Sequence, residues 1–181
     1  MRAVARDSQH RFSKEPVASI ELAEGLGVAG DAHSGRTVQH LSRLRLDPGA
    51  PNLRQVHLIA EEFFAEAVGH GYAVEPGDLG ENVLTAGLDL LSLPLGTVLG
   101  FGDHNHGVGA AIEVTGLRNP CRQIDRFRAG LLQVALDRTP DGTPLRKVGI
   151  MAVVTRGGTV RPGMVINVCR PAAPHRPLEP V

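Results

Sequence analysis

The stretch Thr115-Gly116-Leu117-Arg118-Asn119-Pro120-Cys121-Arg122-Gln123-Ile124 places one sulfur among four arginines, Arg118, Arg122, Arg126 and Arg128. A short apolar run, residues 110–114, leads into it, and a Pro-Cys step opens the helical pattern beyond. Fixed positive charge beside a cysteine, and a helix start just after it, both favour the thiolate. A thiolate is a nucleophile and a soft metal ligand, so chemistry is expected here. The competing reading is that Cys121 is a small buried hydrophobe, as most free cysteines are. Spacing and charge alone do not separate the two.

Two further clusters carry polar side chains on glycine-rich backbone. In Gly30-Asp31-Ala32-His33 the acid and the imidazole can orient each other or a ligand, although a capped turn with a solvated histidine is the simpler reading of this piece alone. In Pro76-Gly77-Asp78-Leu79-Gly80-Glu81-Asn82, turn glycines expose backbone N–H groups that can hold an anion. The alternative is a tight turn whose Asp and Asn side chains cap the backbone. Other histidines weigh less. His104 and His106, two apart in an expected hairpin turn, lack a third ligand for zinc. His10, His70 and His175 sit in polar or terminal contexts and read as solvated. On a strand, His57 points away from Val56 and Leu58 and is either half exposed or faces a site. Cys169 closes the last strand and reads as structural. Neither a phosphate-binding GxxxxGK[ST] nor an HExxH or GxSxG motif occurs.

The elements that must position these clusters are short. Strands are expected at residues 16–22, 55–59, 81–85, 89–93, 97–101, 110–115, 148–155 and 164–169, from brief apolar runs between Gly and Pro turns. One helix is expected at residues 60–69, where Phe63, Phe64, Ala67 and Val68 form a face and Glu61 and Glu62 enrich the first turn. A second is expected at residues 122–138, with a break at Gly130. Residues 25–35 read as a glycine-rich loop, and residues 37–52 as an Arg-rich surface loop, either a lid or a plain insertion. Residues 171–181, with Pro171, Pro174, Pro177 and Pro180, read as a disordered tail. The pattern is mostly β, a β-barrel with a few short helices, built as a single domain over residues 1–170.

Composition narrows the function class. The chain has 181 residues, 42% hydrophobic and 3% aromatic, enough for a core built from Val, Leu, Ile and Ala. Its formal net charge is zero, so nothing favours a nucleic-acid or membrane partner. Two cysteines do not make a secreted disulfide scaffold. There is no N-terminal apolar leader and no run of transmembrane length, so a soluble cytoplasmic protein is expected.

Taken in order, these clusters resemble the MOSC domain family, named for the C-terminal domain of molybdenum cofactor sulfurases. The matching elements are Gly30-Asp31-Ala32-His33, Arg54-Gln55-Val56-His57-Leu58-Ile59 with Glu61, Pro76 to Asn82, Gly87-Leu88-Asp89-Leu90, Leu95-Gly96, Val114-Thr115-Gly116 with Pro120-Cys121, Gly149-Ile150, and Gly157-Gly158-Thr159-Val160-Arg161-Pro162-Gly163. The resemblance runs from about residue 17 to residue 168. The resemblance implies a β-barrel fold and a link to the molybdenum cofactor. Some members are thought to carry sulfane sulfur on the family cysteine, which falls on Cys121. Others bind the cofactor and, with electron-transfer partners, reduce N-hydroxylated compounds. Pyridoxal phosphate enters only by family association, through fused sulfurase domains for which this chain has no counterpart. The acidic residue usual near the final turn is replaced by Met164.

The resemblance implies a pocket in which Cys121 holds a sulfane sulfur or the metal of the molybdenum cofactor. Arg118 and Arg122 would bind the anionic pterin phosphate or stabilise the thiolate, with Asp78, Glu81 and Asn82 orienting the ligand. Asp31 and His33 would position it or transfer protons. The implied partners are a cysteine desulfurase or an electron-transfer protein. The alternatives are a sulfur carrier without turnover, a reductase component, and a non-catalytic binding module in which Cys121 is buried.

Overall fold

The computed structural model describes residues 1–103 and 107–181. The expected turn holding His104 and His106 lies outside the described residues. The elements in chain order are β1 (Ala3–Arg6), β2 (Glu15–Val17), β3 (Ile20–Ala23), β4 (Gly27–Val28), α1 (Leu41–Leu44), β5 (Val56–Ala60), α2 (Glu61–Gly69), β6 (Val83–Thr85), β7 (Val98–Asp103), β8 (Gly107–Leu117), α3 (Arg122–Phe127), α4 (Leu131–Ala135), β9 (Leu136–Arg138), β10 (Pro144–Arg146), β11 (Ile150–Arg156), β12 (Gly158–Val160) and β13 (Val165–Cys169).

Eight strands form the main sheet in the order β13-β7-β8-β11-β5-β6-β1-β2. All its pairings are antiparallel except β5 with β6. The mostly β expectation holds, but the closed barrel does not. Among the described residues β13 and β2 sit at opposite ends and do not pair. Met1 reaches the turn before β13 through two hydrogen bonds, Gly163 N–H to the Met1 carbonyl (3.1 Å) and the Met1 ammonium to the Met164 carbonyl (3.3 Å). Among the described residues β13 pairs only with β7 and β2 only with β1, so the two outer edges of the sheet do not meet. A separate three-stranded sheet, β12-β3-β4, packs against β8, β11 and β1 instead.

Two apolar clusters hold the fold. One lies between the sheets and includes Ile20, Leu22, Val56, Leu58, Leu99, Phe101, Ile112 and Ile150. The other lies under the helices and joins Phe63, Phe64 and Ala67 of α2 to Ile124, Leu131, Val134 and Ala135 of α3 and α4. Helix α2 forms because its apolar residues recur at three- and four-residue spacing, with Glu61 and Glu62 in its first turn; it ends before Gly71, whose φ is +86°. Each phenylalanine so covered contributes about 1.5–3 kcal/mol of burial.

The long second helix resolves into α3, α4 and β9, with Gly130 at φ +91° making the break. Residues 89–93 are a turn rather than a strand. Asp89 accepts hydrogen bonds from the Ser92 N–H and hydroxyl, while Leu90 and Leu93 bury themselves in the core. The letters of Gly25-Leu26-Gly27-Val28-Ala29-Gly30 match a dinucleotide-binding glycine spacing. Here they form the antiparallel β3–β4 hairpin and its exit, with no helix opening behind them.

Residues 171–181 are not the disordered tail expected from their prolines. They run beside the end of β8, where the Leu95 N–H bonds the Arg176 carbonyl (2.9 Å), Leu117 N–H the Glu179 carbonyl (2.8 Å) and Val181 N–H the Leu117 carbonyl (3.2 Å). Leu178 packs on the core. Proline lacks an N–H, but the carbonyls of this segment still satisfy sheet donors that β7 leaves uncovered.

Candidate functional site

The site is built at one end of three adjacent strands. His57 of β5 pairs with Met151 of β11, which pairs with Gly116 of β8, so one row crosses the sheet. His57 and Met151 line a cavity of about 320 Å³. Beyond Gly116 the chain leaves β8, and Arg118 and Cys121 meet the same cavity. The backbone there is fixed by the Arg118 N–H bond to the Gly149 carbonyl (3.0 Å). Asn82, also in the lining, holds β5 in return. Its Oδ1 accepts the His57 N–H (3.1 Å), and its own N–H donates to the His57 carbonyl (2.8 Å).

Basic side chains crowd this cavity. Arg11 and Lys14 come from the segment just before β2, His33 from the loop after β4, His40 and Arg43 from the loop carrying α1, and Arg54 from the turn leading into β5. No Asp or Glu belongs to the described lining. Arg11 and Lys14 are neutralised from behind, by Asp7 (2.6 Å) and Asp31 (2.6 Å). Arg54 and Arg118 are not. Nε of Arg54 and Nη1 of Arg118 are buried without a hydrogen-bond partner. Arg118 also lies over the Phe12 ring, 5.8 Å from its centroid.

Burial lowers the pKa of Arg54 to about 10, with Arg43 and Arg118 adding repulsion and Cys121 opposing. Arg118 is lowered by burial, against the charges of Cys121 and Glu81. Both stay cationic at neutral pH. His40 falls to about 4, first through burial and then through Arg54, His33 and Arg43. His57 is pushed well down by burial and Arg118, while its Nε2 lies 2.9 Å from the Val148 carbonyl. Both imidazoles are therefore neutral, and the arginines carry the field.

Cys121 is exposed, sits at the N-terminal boundary of α3, and its Sγ donates to Oε1 of Gln123 (3.5 Å). The sulfur, once ionised, is attracted by both Arg54 and Arg118. It thus faces positive charge from Arg54, distant in sequence, and from Arg118. Of the four flanking arginines only Arg118 lines the cavity; Arg122, Arg126 and Arg128 lie on or after α3, outside it.

The expected site residues divide accordingly. Cys121, Arg118, His33 and Asn82 meet in one cavity, whereas Arg122 and Asp78 do not line it. Asp78 caps its own turn, Oδ2 accepting the Glu75 N–H (2.9 Å) and its carbonyl the Ser13 hydroxyl (2.9 Å).

Asp31 lies behind the wall, its side chain 1% exposed. Oδ2 accepts from Lys14 (2.6 Å) and from the Asn82 amide (3.0 Å), and Oδ1 from the His33 N–H (2.9 Å) with His33 Nδ1 at 3.2 Å. Burial pushes its carboxyl up, but the His33 and Lys14 hydrogen bonds and the Lys14 charge outweigh this and hold it well below the usual carboxylate range. Such an anion orients His33 and neutralises Lys14. Glu81 is likewise buried behind the wall. Sequence patterns alone do not single out Arg43, His40, Lys14 or His10. Their one signal is the density of Arg and His before β5, which a surface loop explains equally well.

Comparison with known proteins gives this arrangement a family. Residues 45–167 match the MOSC domain model, and the chain belongs to that family, which is associated with the molybdenum cofactor. The YuaD protein of Bacillus subtilis has a crystal structure similar to this fold: TM-score 0.75, 26% identity, with 94% of this chain and 95% of that one covered. YiiM of Geobacillus stearothermophilus (TM-score 0.59, 17% identity, 93% and 73% covered) and YiiM of Escherichia coli (0.58, 19%, 97% and 73%) share the fold. No curated protein matches the chain. Among the described residues no helix is long and apolar enough to cross a membrane.

Proposed function

We propose that the cavity binds the molybdenum cofactor through its phosphate, with Cys121 as the protein ligand to the metal. The observation that carries this is the pair of buried, unpartnered N–H groups of Arg54 and Arg118 on a cavity wall without acids. Unsatisfied buried donors of this kind fit a ligand bearing a phosphate, which guanidinium groups bind through directed hydrogen bonds. Among the described residues no group of three His, Cys, Asp or Glu could hold a bare metal ion. A single thiolate suits a metal that arrives with ligands of its own. When bound, the cofactor supplies redox-active molybdenum. The chain's own part is to fix the phosphate with Arg54 and Arg118, to present the Cys121 sulfur, and to hold His33 in one orientation through Asp31.

The exposure of Cys121 favours a second reading, sulfur carriage. The Cys121 thiolate would attack the terminal sulfur of a donor persulfide, such as that of a cysteine desulfurase. A new S–S bond forms, the donor's S–S bond breaks, and the donor leaves as thiolate with no net redox change. The same exposure weighs against a binding module with a buried, inert thiol.

Purification from a host that makes molybdopterin tests both. Molybdenum and pterin co-purifying with the wild type and lost in Cys121→Ala support the first reading. One extra sulfur on Cys121 without molybdenum supports the second. Neither adduct nor metal, with C121A indistinguishable from wild type, defeats both. Because Cys121 is exposed, this variant should unfold within about 0.5 kcal/mol of the wild type.

A further inference from the structure

Glu81 is a buried charge with no part in the ligand contacts above. It is 1% exposed. Oε1 accepts the Gly77 N–H, whereas Oε2 is buried with no hydrogen-bond partner. Buried carboxylates ordinarily have both oxygens satisfied. The charged groups around it are few. Arg118 acts on Glu81 directly, and Lys14 feels its charge, though Lys14 is already paired with Asp31. From β5, His57 contacts the Gly80 backbone beside it and is held neutral. The rest of its environment is the 77–81 turn backbone. Arg118 therefore answers two demands with one positive charge: a carboxylate in the core, and any anion in the cavity it lines.

We propose that Glu81 makes anion binding in this cavity proton-linked, one proton being taken up on Glu81 as an anion binds at Arg118. The inference rests on reading the cavity as an anion site. A bound anion adds negative charge next to a carboxylate that burial has already made hard to ionise, so the carboxylate yields. Burial has brought this carboxyl up to about 7, against the opposing Gly77 N–H and Arg118, and a modest added field shifts its proton at neutral pH. The sign comes from linkage. The complex binds more protons than the free protein, so affinity is full below about pH 7 and declines as pH rises above it, levelling once Glu81 is ionised in the complex too.

Sulfate is the probe, because it is a dianion throughout the window and brings no titration of its own. Calorimetric titration of the full chain in two buffers of different ionisation enthalpy counts the protons taken up. Wild-type affinity should weaken severalfold between about pH 7 and 9, by about tenfold per unit at most for a single proton. The heat should differ between buffers by uptake of up to one proton. E81Q, which mimics the protonated acid, should bind with nearly constant affinity over the same range. The other groups lining the cavity stay in place in E81Q, so subtracting its slope from that of the wild type isolates the share of Glu81.

Equal slopes in wild type and E81Q overturn the proposal. So does buffer-independent heat in the wild type, a result that needs no variant to fold. Sulfate binding that Arg118→Met abolishes, without proton uptake in the wild type, overturns the link and leaves the anion site standing. Failure of the wild type to bind sulfate at any pH overturns both.

Discussion

Asp31 shows at the scale of single residues how burial reassigns a role. By its letters, an acid two residues from a histidine is a capped turn, or a pair that can orient a ligand. In place it is the counter-ion of Lys14, whose side chain is 5% exposed. Asp31→Ala would strand that ammonium and release His33 and Asn82. Unpairing a buried ion pair costs about 3–5 kcal/mol, and urea unfolding at neutral pH should show a loss of that size. The pH dependence has a definite sign. The folded pKa is depressed, so the stabilisation is complete above the ordinary carboxylate value and fades only as pH falls through the lower folded one. The gap between D31A and wild type should persist down to about pH 4 and close in stronger acid. A variant as stable as wild type at pH 7 would show that the pair contributes nothing.

At the scale of elements, the end of β8 is the structure that makes the site. Its last residues are held from both sides, by Ile150 and Met151 of β11 and by the C-terminal segment. Gly116 lies at this crossing because a Cβ there would collide with the Glu179 carbonyl and the Val181 side chain. Gly116→Ala should lift residues 176–181 away from β8 at a cost of about 1–3 kcal/mol. Hydrogen exchange should then quicken at the Leu117 and Val181 amides, and the segment should become open to proteolysis. Because Arg118 and Cys121 come directly after it, G116A should also weaken retention of a cavity ligand although it touches none. Unchanged exchange at Leu117 would mean the segment rests on the sheet without bracing it.

Over the whole molecule the charge is balanced, yet the balance is uneven. A chain of zero formal net charge gathers guanidinium groups around one cavity and leaves two of them without acidic partners there. Buried, unpartnered cations are destabilising unless a ligand completes them. The double variant Arg54→Met with Arg118→Met should therefore be more stable than wild type in ligand-free protein, by about 1–3 kcal/mol. It should also lose sulfate binding and co-purifying molybdenum. A less stable double variant, in thermal or urea unfolding, would indicate that the attraction of Arg118 for Glu81 and its stacking on Phe12 outweigh the desolvation of the two charges.

The mostly β class, helix α2, the strand at β5 and the break at Gly130 were legible in the letters. These rest on local patterns: apolar spacing and a glycine at positive φ. Family membership was also legible, since it lies in the order of motifs along the chain. What surrounds the sulfur was not. Three of the four arginines adjacent in sequence are carried away from the cavity by α3, and the charges that meet Cys121 come from residues 54 and 118, brought together by the turn before β5 and the end of β8. Nor could the proline-rich end be read as a sheet partner, because its backbone hydrogen bonds to Leu95 and Leu117 reach some sixty residues away or more. The open sheet, the silent pairing of Asp31 with Lys14 and the unsatisfied oxygen of Glu81 were likewise settled only by tertiary structure. Each depends on which distant groups share a low-dielectric interior, a property of three-dimensional proximity that no window of sequence contains.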